Sequence, residues 1–308
     1  MKDRLVTLVG GGGFLGRYVA QALLETGARV RIAQRDPREA WFLKPLGGLG
    51  QTQFVAADIT RPDTFARAIA GADAVVNLVG SFTGDLDRIH VAGPRALAEA
   101  ARAAGVSAFV HVSAIGADPQ APSRYGQTKG AGEAAVREAF PQATIMRPST
   151  VFGREDQFVN MFAGMIAKLP VVPVLKPGAR FQPVFAGDVS AAIVAALRDP
   201  AQFGGRTFEL GGPDVLTMLE LQQWIARAIG RKPAFVPLPD AAGSLLAALP
   251  GAPISRDQWK LLQSDTVVGE SAHGLAALGI TPTPLAAVAP GWLVRYQRLG
   301  RFASPRAA

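Results

Sequence analysis

The chain has 308 residues, of which 49% are hydrophobic, with a formal net charge of +8 and no cysteine. This length and apolar content suffice to bury one large α/β core, with or without a smaller attached lobe. The lack of cysteine excludes disulfides, thiolate metal sites and cysteine nucleophiles, and is typical of a reducing compartment. The three histidines, His90, His111 and His273, are widely spaced and show no metal-ligand pattern, so we expect no metal site.

Charged residues interrupt every apolar run before it reaches a membrane-spanning length. The N-terminal stretch MKDRLVTLVGGGG passes from charges directly into a strand-like run, so we expect no secretory signal. No run of 18 apolar residues predicts a span, and we expect a cytoplasmic location, with a peripheral position on the cytoplasmic face of the inner membrane left open. Lysines and arginines are scattered without a nucleic-acid-binding motif, so no nucleic-acid partner is expected.

The C-terminal stretch is the exception to the scattered charge. It has no acidic residue from Ser271 to Ala308. Basic and aromatic side chains are interleaved there, namely Arg295, Arg298, Arg301 and Arg306 with Trp292, Tyr296 and Phe302. This pattern predicts either contact with an anionic membrane or acidic protein face, or a solvated basic tail on a docked helix.

The first half of the chain alternates apolar runs with helical periodicity. Six runs bounded by turn residues predict buried strands, and they are RLVTLVG, ARVRIAQ, TQFVAAD, DAVVNLVG, SAFVHVS and ATIMRPS. Between them, FLGRYVAQALLETG and GPRALAEAARAAGV have apolar residues at helical spacing and contain a glycine at or near their ends, typical of a helix C-terminus. The alternation predicts an α/β fold with a Rossmann-type doubly wound parallel sheet over residues 1–150.

The second half is less regular. Helical periodicity occurs in REDQFVNMFAGMIAKLP, GDVSAAIVAALRDP and TMLELQQWIARAIGR, and TFELGGP predicts a short strand. No low-complexity linker separates the halves. We therefore expect residues 151–308 to form a smaller mixed C-terminal lobe that packs on the sheet and contributes to the pocket and to docking.

A glycine-rich stretch, LVGGGGFLGRYV, connects the first predicted strand to the first helix. Gly10, Gly13 and Gly16 have the spacing G-x-x-G-x-x-G. Glycine permits a tight turn, close approach of the backbone to a pyrophosphate and close packing of helix on strand, while the helix N-terminus offers free N–H groups. In a strand–turn–helix context this pattern predicts a dinucleotide site rather than a purely structural turn.

The end of the second strand indicates which dinucleotide is bound. It reads RIAQRD, with Arg35 where a dehydrogenase that prefers NAD places an acid. An acid repels a 2′-phosphate, whereas a guanidinium binds it in a fork, so Arg35 favours NADP(H) over NAD(H). A shift of one residue brings Asp36 to this position instead. Asp58, after the third strand, is expected either to reach the adenine edge or to cap the following helix.

A serine, a tyrosine and a lysine are candidates for catalysis. Tyr125 and Lys129 are four residues apart and share one face of a helix. Ser113 ends the fifth strand, at the carboxyl edge where such sheets bind ligands, and precedes Tyr125 by 12 residues. A phenol near pKa 10 is a poor acid–base group at neutral pH until a nearby cation favours its anion, which gives Lys129 a chemical role beside Tyr125.

Taken together, these motifs resemble those of the extended short-chain dehydrogenase/reductases. The motifs are Gly10-x-x-Gly13-x-x-Gly16, Ser113, Tyr125-x-x-x-Lys129 and MRPSTVFG after the sixth strand. The resemblance implies that the tyrosine exchanges a proton with a carbonyl or hydroxyl while nicotinamide carries the hydride. It also implies that the lysine lowers the pKa of the tyrosine and holds the nicotinamide ribose, and that the serine steadies the substrate oxygen.

Three longer stretches are similar to an atypical branch of that superfamily. HVSAIGAD, the segment YGQTKGAGEAAVREAFPQATIMRPSTVFGREDQFVNMFAGM and FQPVFAGDVSAAIVAAL resemble the subunit 9 family of the alpha subcomplex of respiratory complex I (NADH:ubiquinone oxidoreductase), with its bacterial relatives. The similarity runs from about Leu5 to about Gly230, and FGREDQF is its most distinctive piece. It implies a tightly held NADP(H), a peripheral position near the membrane, and association with complex I or a ubiquinone-biosynthesis assembly. A working NADPH-dependent reductase of a small carbonyl or quinone, and a sensor of the NADPH/NADP⁺ ratio, stay open as alternatives.

The resemblance also implies cofactor contacts residue by residue. The pyrophosphate is expected to contact Gly10, Gly13, Phe14, Leu15 and Gly16, and the 2′-phosphate is expected to contact Arg35. The adenosine side is expected to contact Val79 and Gly80, and the nicotinamide half is expected to contact Tyr125, Lys129 and Pro148. Val9 stands where the family often has threonine or serine. This departure removes a small side-chain contact and leaves the loop backbone intact.

Overall fold

The structure is a computed structural model that describes residues 1–249, 254–298 and 300, so that three residues of the predicted basic-aromatic stretch, Arg301, Phe302 and Arg306, lie outside the described residues. The strands are β1 (Leu5–Val9), β2 (Arg29–Gln34), β3 (Thr52–Ala56), β4 (Ala74–Asn77), β5 (Ala108–Val112), β6 (Thr144–Pro148), β7 (Val151–Phe152), β8 (Val171–Val174), β9 (Arg180–Phe181), β10 (Val184–Phe185), β11 (Thr207–Leu210), β12 (Leu216–Thr217) and β13 (Ala234–Pro237). The helices are α1 (Phe14–Glu25), α2 (Phe65–Ile69), α3 (Gly93–Ala103), α4 (Arg124–Ala139), α5 (Phe158–Lys168), α6 (Ala186–Arg198), α7 (Pro200–Phe203), α8 (Met218–Ala228), α9 (Asp240–Ala248), α10 (Arg256–Leu261), α11 (Leu285–Val288) and α12 (Pro290–Leu293). A π-helical turn covers Arg88–Ala92, and 3₁₀ turns cover Pro37–Leu46, Pro62–Thr64, Leu275–Leu278 and Val294–Tyr296.

Two compact units make up the chain. The first comprises Met1–Pro148, Ala186–Leu210 and Val268–Thr281, and the second comprises Ser149–Phe185, Gly211–Val267 and Pro282–Ala308. The chain first leaves the sheet unit beside the predicted boundary at residue 150, but it returns to that unit twice. The sequence analysis placed α6 and β11 in the C-terminal lobe, whereas both belong to the sheet unit, because β11 pairs with β6 and α6 packs against α1. A contribution of the second unit to a pocket and to docking stays a prediction.

The first unit is built on a seven-stranded parallel sheet in the order β11-β6-β5-β4-β1-β2-β3. This arrangement confirms the Rossmann-type doubly wound sheet. Helices α2, α3 and α4 cover one face, where Phe109, Ile145 and Leu97 share a core cluster. Helices α1 and α6 pack together, and strands β1, β4 and β5 are buried along their whole length. Burial from both sides explains why these strands are continuous apolar runs rather than alternating ones.

The second unit is smaller and mixed, as predicted. It contains two parallel strand pairs, β7–β10 and β8–β13, and the antiparallel pair β9–β12, with helices α5 and α8 packed together. Leu293 is fully buried in its core, with Trp292 and Tyr296 packed against that core. Arg295 donates a hydrogen bond from Nη2 to Oδ1 of Asn160 at 2.6 Å. The described aromatic residues of the C-terminal stretch therefore have packing partners inside this unit.

In the part of the chain that the structure describes, no helix has the length and apolar character needed to cross a membrane.

Candidate nucleotide-binding site

The predicted site residues meet at one edge of the sheet in the first unit. The chain order of the strands reverses between β1 and β4, and in open parallel sheets ligands bind at the carboxyl ends of the strands beside such a reversal. This edge carries Gly10–Gly16 after β1, Arg35 after β2, Asp58 after β3, Val79 and Gly80 after β4, Ser113 after β5, and Pro148 at the end of β6. Position along the fold therefore brings together residues that are far apart in sequence.

The loop from Gly10 to Gly16 has the geometry of a phosphate cradle. Gly10 has a φ of +82°, and a Cβ there would lie 3.2 Å from Cγ2 of Val79 across the point where the strand order reverses. A Cβ on Gly16 would lie 2.6 Å from the carbonyl carbon of Gly11, so only glycine fits. Helix α1 begins after Gly13 without a side-chain cap and without an acid in its first turn. Its first N–H groups and its dipole are thus available to an anion, and the residues present fit a dinucleotide pyrophosphate.

The structure at the end of β2 distinguishes Arg35 from Asp36, the two residues that the sequence allowed at the position facing a 2′-phosphate. Gln34 is the last residue of the strand, and the exposed Arg35 follows it. Asp36 accepts a hydrogen bond from the backbone N–H of Arg38 at 3.0 Å and pairs with Nη2 of Arg38 at 2.8 Å. Hydrogen bonds from Arg38 hold the pKa of Asp36 below its usual range. The carboxylate of Asp36 is therefore engaged by a neighbouring guanidinium, while Arg35 extends from the strand end.

Asp58 closes a local turn instead of capping the next helix. Its Oδ1 accepts hydrogen bonds from the backbone N–H and the hydroxyl of Thr60, both at 2.9 Å. Burial raises the pKa of Asp58, but the hydrogen bonds from Thr60 and the charge of Arg35 outweigh it and leave the pKa lowered. The N-caps of the two helical segments that follow are Arg61 and Thr64. The adenine-edge role of Asp58 stays a prediction, with Arg35 within electrostatic reach.

Two buried side chains fix the loop after β4. Asn77 accepts a hydrogen bond from the N–H of Val79 at 3.1 Å, and its amide nitrogen lies 3.1 Å from Nδ1 of His111. Because Asn77 donates there, Nδ1 of His111 is the acceptor and its Nε2 carries the proton. That Nε2 is buried and has no hydrogen-bond partner among the described residues. Burial, then the charge of Lys129, lowers the pKa of His111 well below its usual value.

Lys129 and Ser113 lie together at the end of β5. Helix α4 begins after Ser123, whose Oγ accepts a hydrogen bond from the N–H of Gly126 at 3.0 Å. Lys129, the sixth residue of this helix, is buried. Its Nζ donates to the carbonyl of Val112 at 2.8 Å, beside Ser113, and burial lowers its pKa to about 8. The Oγ of Ser113 is buried without a hydrogen-bond partner among the described residues. An ammonium and an unsatisfied hydroxyl side by side are suited to a ligand that brings oxygen atoms.

Tyr125 is covered by an aromatic side chain. Its ring stacks on that of Phe82, with centroids 4.5 Å apart and planes inclined by 24°, and meets the edge of His90 at 5.4 Å. Burial raises the pKa of Tyr125 to about 12. Burial opposes the phenolate, and the ammonium of Lys129 donates to the carbonyl of Val112, so the expectation that Lys129 lowers the pKa of Tyr125 when nucleotide is bound stays a prediction.

Sequence reasoning missed Phe82 and His90. Nδ1 of His90 lies 2.9 Å from Oγ1 of Thr128 on α4, and its Nε2 accepts from the N–H of Ser81 at 3.1 Å, so His90 ties the Phe82 loop to α4. His90 lies in the π-helical turn, a rare feature that is frequent at functional sites. Gly132 is the residue of the sequence that could have indicated this contact between α4 and the His90 turn, because a Cβ at position 132 would overlap the carbonyl oxygen of His90.

Comparison with known proteins gives the family. Residues 6–211 match the NAD dependent epimerase/dehydratase family. The chain belongs to this family. A nicotinamide dinucleotide is the ligand that the family name specifies, and the glycine cradle of this epimerase/dehydratase family member fits it.

Individual relatives confirm the narrower resemblance. The chain is 35% identical to NADH dehydrogenase (ubiquinone) 1 alpha subcomplex subunit 9 of Arabidopsis thaliana, over 96% of this chain and 79% of that protein. It is 34% identical to the ceramide reductase of Caulobacter vibrioides, over 79% of this chain and 78% of that protein. The Citrobacter triphenylmethane reductase complexed with NADP(H) has the same fold, with a TM-score of 0.74 at 19% identity over 91% of this chain and 97% of that one.

Proposed function

We propose that this epimerase/dehydratase family member holds NADP(H) tightly and serves as an accessory or assembly protein of a quinone-linked respiratory complex of the complex I type. The observation that carries the proposal is the half-buried Tyr125, whose ring stacks on that of Phe82 with centroids 4.5 Å apart, and the subunit 9 relatives support the accessory role. Burial raises the pKa of Tyr125 to about 12. Such a phenol is a poor proton donor or acceptor near pH 7, because acid–base catalysis is best when the pKa lies near the working pH. Tyr125 and Lys129 then hold the nicotinamide ribose rather than react.

NADP(H) is preferred to NAD(H) because of the end of β2. Arg35 is exposed directly after the last strand residue, where a 2′-phosphate lies when a dinucleotide occupies this type of sheet. Asp36 is paired with Arg38 and so presents a compensated charge. A fork of two charge-assisted hydrogen bonds from Arg35 supports the phosphate.

The nucleotide proposal is tested on the purified chain and on two charge reversals. NADPH should co-purify and dissociate slowly, and Arg35→Glu should weaken NADPH binding by about 10- to 100-fold, the effect of one or two charge-assisted hydrogen bonds. NADH binding should change little. Arg67→Glu, an exposed position on α2 with the same change of charge, is the matched control. Equal affinity for NADPH in the wild type and Arg35→Glu contradicts the proposal.

The partner proposal rests on the subunit 9 relatives. We expect the tagged chain to co-migrate with NADH:quinone oxidoreductase activity when membranes of its host are separated under native conditions. Migration apart from that activity, with lowered ubiquinone content in a deletion strain, favours the ubiquinone-biosynthesis alternative. For the proposed anionic-membrane contact, Arg298→Glu is a better test than truncation, because Arg298 is exposed whereas removal of Leu293 opens the core of the second unit. Retained sedimentation with anionic vesicles after this substitution counts against the contact.

A second candidate function is NADPH-dependent reduction of a small carbonyl or quinone. The observation in its favour is the buried, unsatisfied Oγ of Ser113 beside Lys129, which suits a substrate oxygen, and the ceramide reductase relative supports it. A bound NADPH would supply the hydride for reduction of a carbonyl at this place, and the hydroxyl of Tyr125 would supply the proton for its oxygen. For that step Tyr125 has to lose the cover of Phe82, so that its pKa falls.

The two functions differ in turnover. A reductase should oxidise NADPH with a carbonyl or quinone, and Tyr125→Phe should abolish this while leaving NADPH affinity near that of the wild type. A holding protein should show no substrate-dependent oxidation, and Tyr125→Phe should lower its NADPH affinity, because the hydroxyl then contacts the nicotinamide ribose. Turnover that persists in Tyr125→Phe contradicts the catalytic role of this residue.

A further inference from the structure

A row of alternating charges begins at Lys129 and leads away from the site. Glu133 follows Lys129 by one turn of α4 and is 4% exposed. Arg147 on β6 clamps it with two parallel hydrogen bonds, from Nε to Oε1 at 2.9 Å and from Nη2 to Oε2 at 2.7 Å. Bidentate arginine–carboxylate pairs of this kind fix the orientation of the carboxylate as well as its charge.

A second carboxylate holds Arg147 from the far side. Glu209 on β11 is the register partner of Arg147, and its Oε1 lies 3.4 Å from Nη1 of Arg147. Oε2 of Glu209 accepts from the backbone N–H of Gly269 at 2.9 Å. Arg147 therefore has anchors on two elements of the first unit, and Glu133 cannot turn away from α4 without breaking the bidentate pair.

Lys129 needs a compensating charge because it is buried. It is 3% exposed, and its Nζ donates to the backbone carbonyl of Val112, which carries no net charge. The groups around it are the imidazoles of His90 and His111 and the carboxylate of Glu133, and Tyr125 lies one turn earlier on α4. Both imidazoles are held neutral by burial and by the charge of Lys129 itself. Within the described part of the chain, Glu133 is the acid whose charge acts on Lys129.

We propose that Glu133 is a positioning residue for the nucleotide site, held by Arg147 one helical turn from Lys129 so that the buried ammonium stays charged near neutral pH. The use of that charge, at the nicotinamide ribose, rests on the proposed function. The positioning itself is a property of α4 and β6 and is tested without nucleotide.

The first test follows the titration of Lys129 directly. The chain has seven lysines, so the ¹³Cε signals of labelled lysine can be resolved and Lys129 assigned with Lys129→Met. In Glu133→Gln the titration midpoint of Lys129 should move to lower pH by about one unit, the size expected when an opposite charge one turn away is lost. Glu209→Gln is the matched control, because it removes the other carboxylate on Arg147 and leaves Glu133 in place. Its Lys129 midpoint should equal that of the wild type.

The contact between Arg147 and Glu209 should allow the Glu133→Gln variant to fold. In Glu133→Gln, Arg147 keeps Glu209 as a partner and is not left as a lone buried charge. Should this variant still unfold, Glu133→Gln combined with Arg147→Met removes both members of the pair, and the Lys129 midpoint should still move to lower pH because Glu133, one helical turn away, is the charge that acts on Lys129. Lys129 midpoints that coincide in wild type and Glu133→Gln, or that move equally in Glu209→Gln, overturn the positioning role.

The second test links the charge to the nucleotide. The affinity for NADPH should fall as pH rises through the Lys129 midpoint, near pH 8 in the wild type, and this fall should begin at lower pH in Glu133→Gln. A shifted Lys129 midpoint with NADPH binding that is independent of pH supports the positioning role and overturns the proposed contact of Lys129 with the nucleotide. The two ideas therefore fail separately.

Discussion

Gly16→Ala is the sharpest test of the phosphate cradle. Gly16 lies in the first turn of α1, where the added Cβ would stand 2.6 Å from the carbonyl carbon of Gly11, about 0.8 Å closer than the ordinary contact limit of 3.4 Å. The obstacle is backbone, not the end of a flexible side chain. The loop between β1 and α1 has to move away from the helix to make room.

The size of the effect follows from two opposing contributions. Alanine gains about 1 kcal/mol over glycine in helix propensity, whereas overpacking against fixed atoms costs about 1–3 kcal/mol. The free energy of unfolding should therefore fall by about 1 kcal/mol, or about 2–4 °C in the melting temperature for a chain of this size. NADPH binding should suffer more, by about tenfold or above, since the displaced loop supplies the N–H groups that face the pyrophosphate.

The assay is NADPH titration by fluorescence together with melting curves recorded with and without nucleotide. At 100 times its dissociation constant a ligand stabilises by about 2.7 kcal/mol, and a tenfold loss of affinity lowers this to about 1.4 kcal/mol, so the nucleotide-dependent rise in melting temperature should fall to about half or less in Gly16→Ala. Gly291→Ala on α12 is the control, because nothing lies within 4 Å of a Cβ there. NADPH affinity equal to that of the wild type in Gly16→Ala would refute the cradle.

Three further predictions concern the cover of the tyrosine, a helix cap and pH. In Phe82→Ala the phenol of Tyr125 should ionise at lower pH, because burial is the cause of its raised pKa; absorbance at 295 nm checks this against Tyr125→Phe. Asp156→Ala should lower the free energy of unfolding by about 2 kcal/mol in urea titrations, since the carboxylate accepts from the backbone N–H groups of Val159 and Asn160 at the start of α5 and of Gly153 in the turn before it. The pKa of His90 is about 4 in the folded chain and near 6.5 when unfolded, so the unfolded chain binds more protons between these values. The free energy of unfolding should thus fall as pH drops from 6.5 to 4, and the fall should be shallower in His90→Gln.

Much of the first unit could be predicted because its signals are local. Strands β1 to β6 are short apolar runs between turn residues, and the glycine spacing from Gly10 to Gly16 reports a turn that no other residue can make. Parallel strands all end at the same edge of a sheet, which places Ser113 and Arg35 at that edge.

Other features depend on contacts between distant segments. Nothing in TFELGGP states that β11 pairs with β6, because a four-residue strand is compatible with many partners. Phe82 lies 43 residues before Tyr125, and the stacking of their rings depends on how His90 fixes the loop. The charged partners of Lys129 could be listed from the sequence, but not their orientation or burial.

The interrupted course of the chain has a consequence for synthesis on the ribosome. The sheet unit takes its last strand from β11 and its last segment from Val268–Thr281, so a nascent chain of 150 residues lacks both. Until β11 emerges, β6 is an open edge whose N–H and C=O groups can pair with another chain. At about 5–20 residues per second the intervening 58 residues between β6 and β11 take some seconds to appear. We therefore expect fragments that stop near residue 150 to aggregate, and the full chain to gain from a chaperone that shields this edge during synthesis.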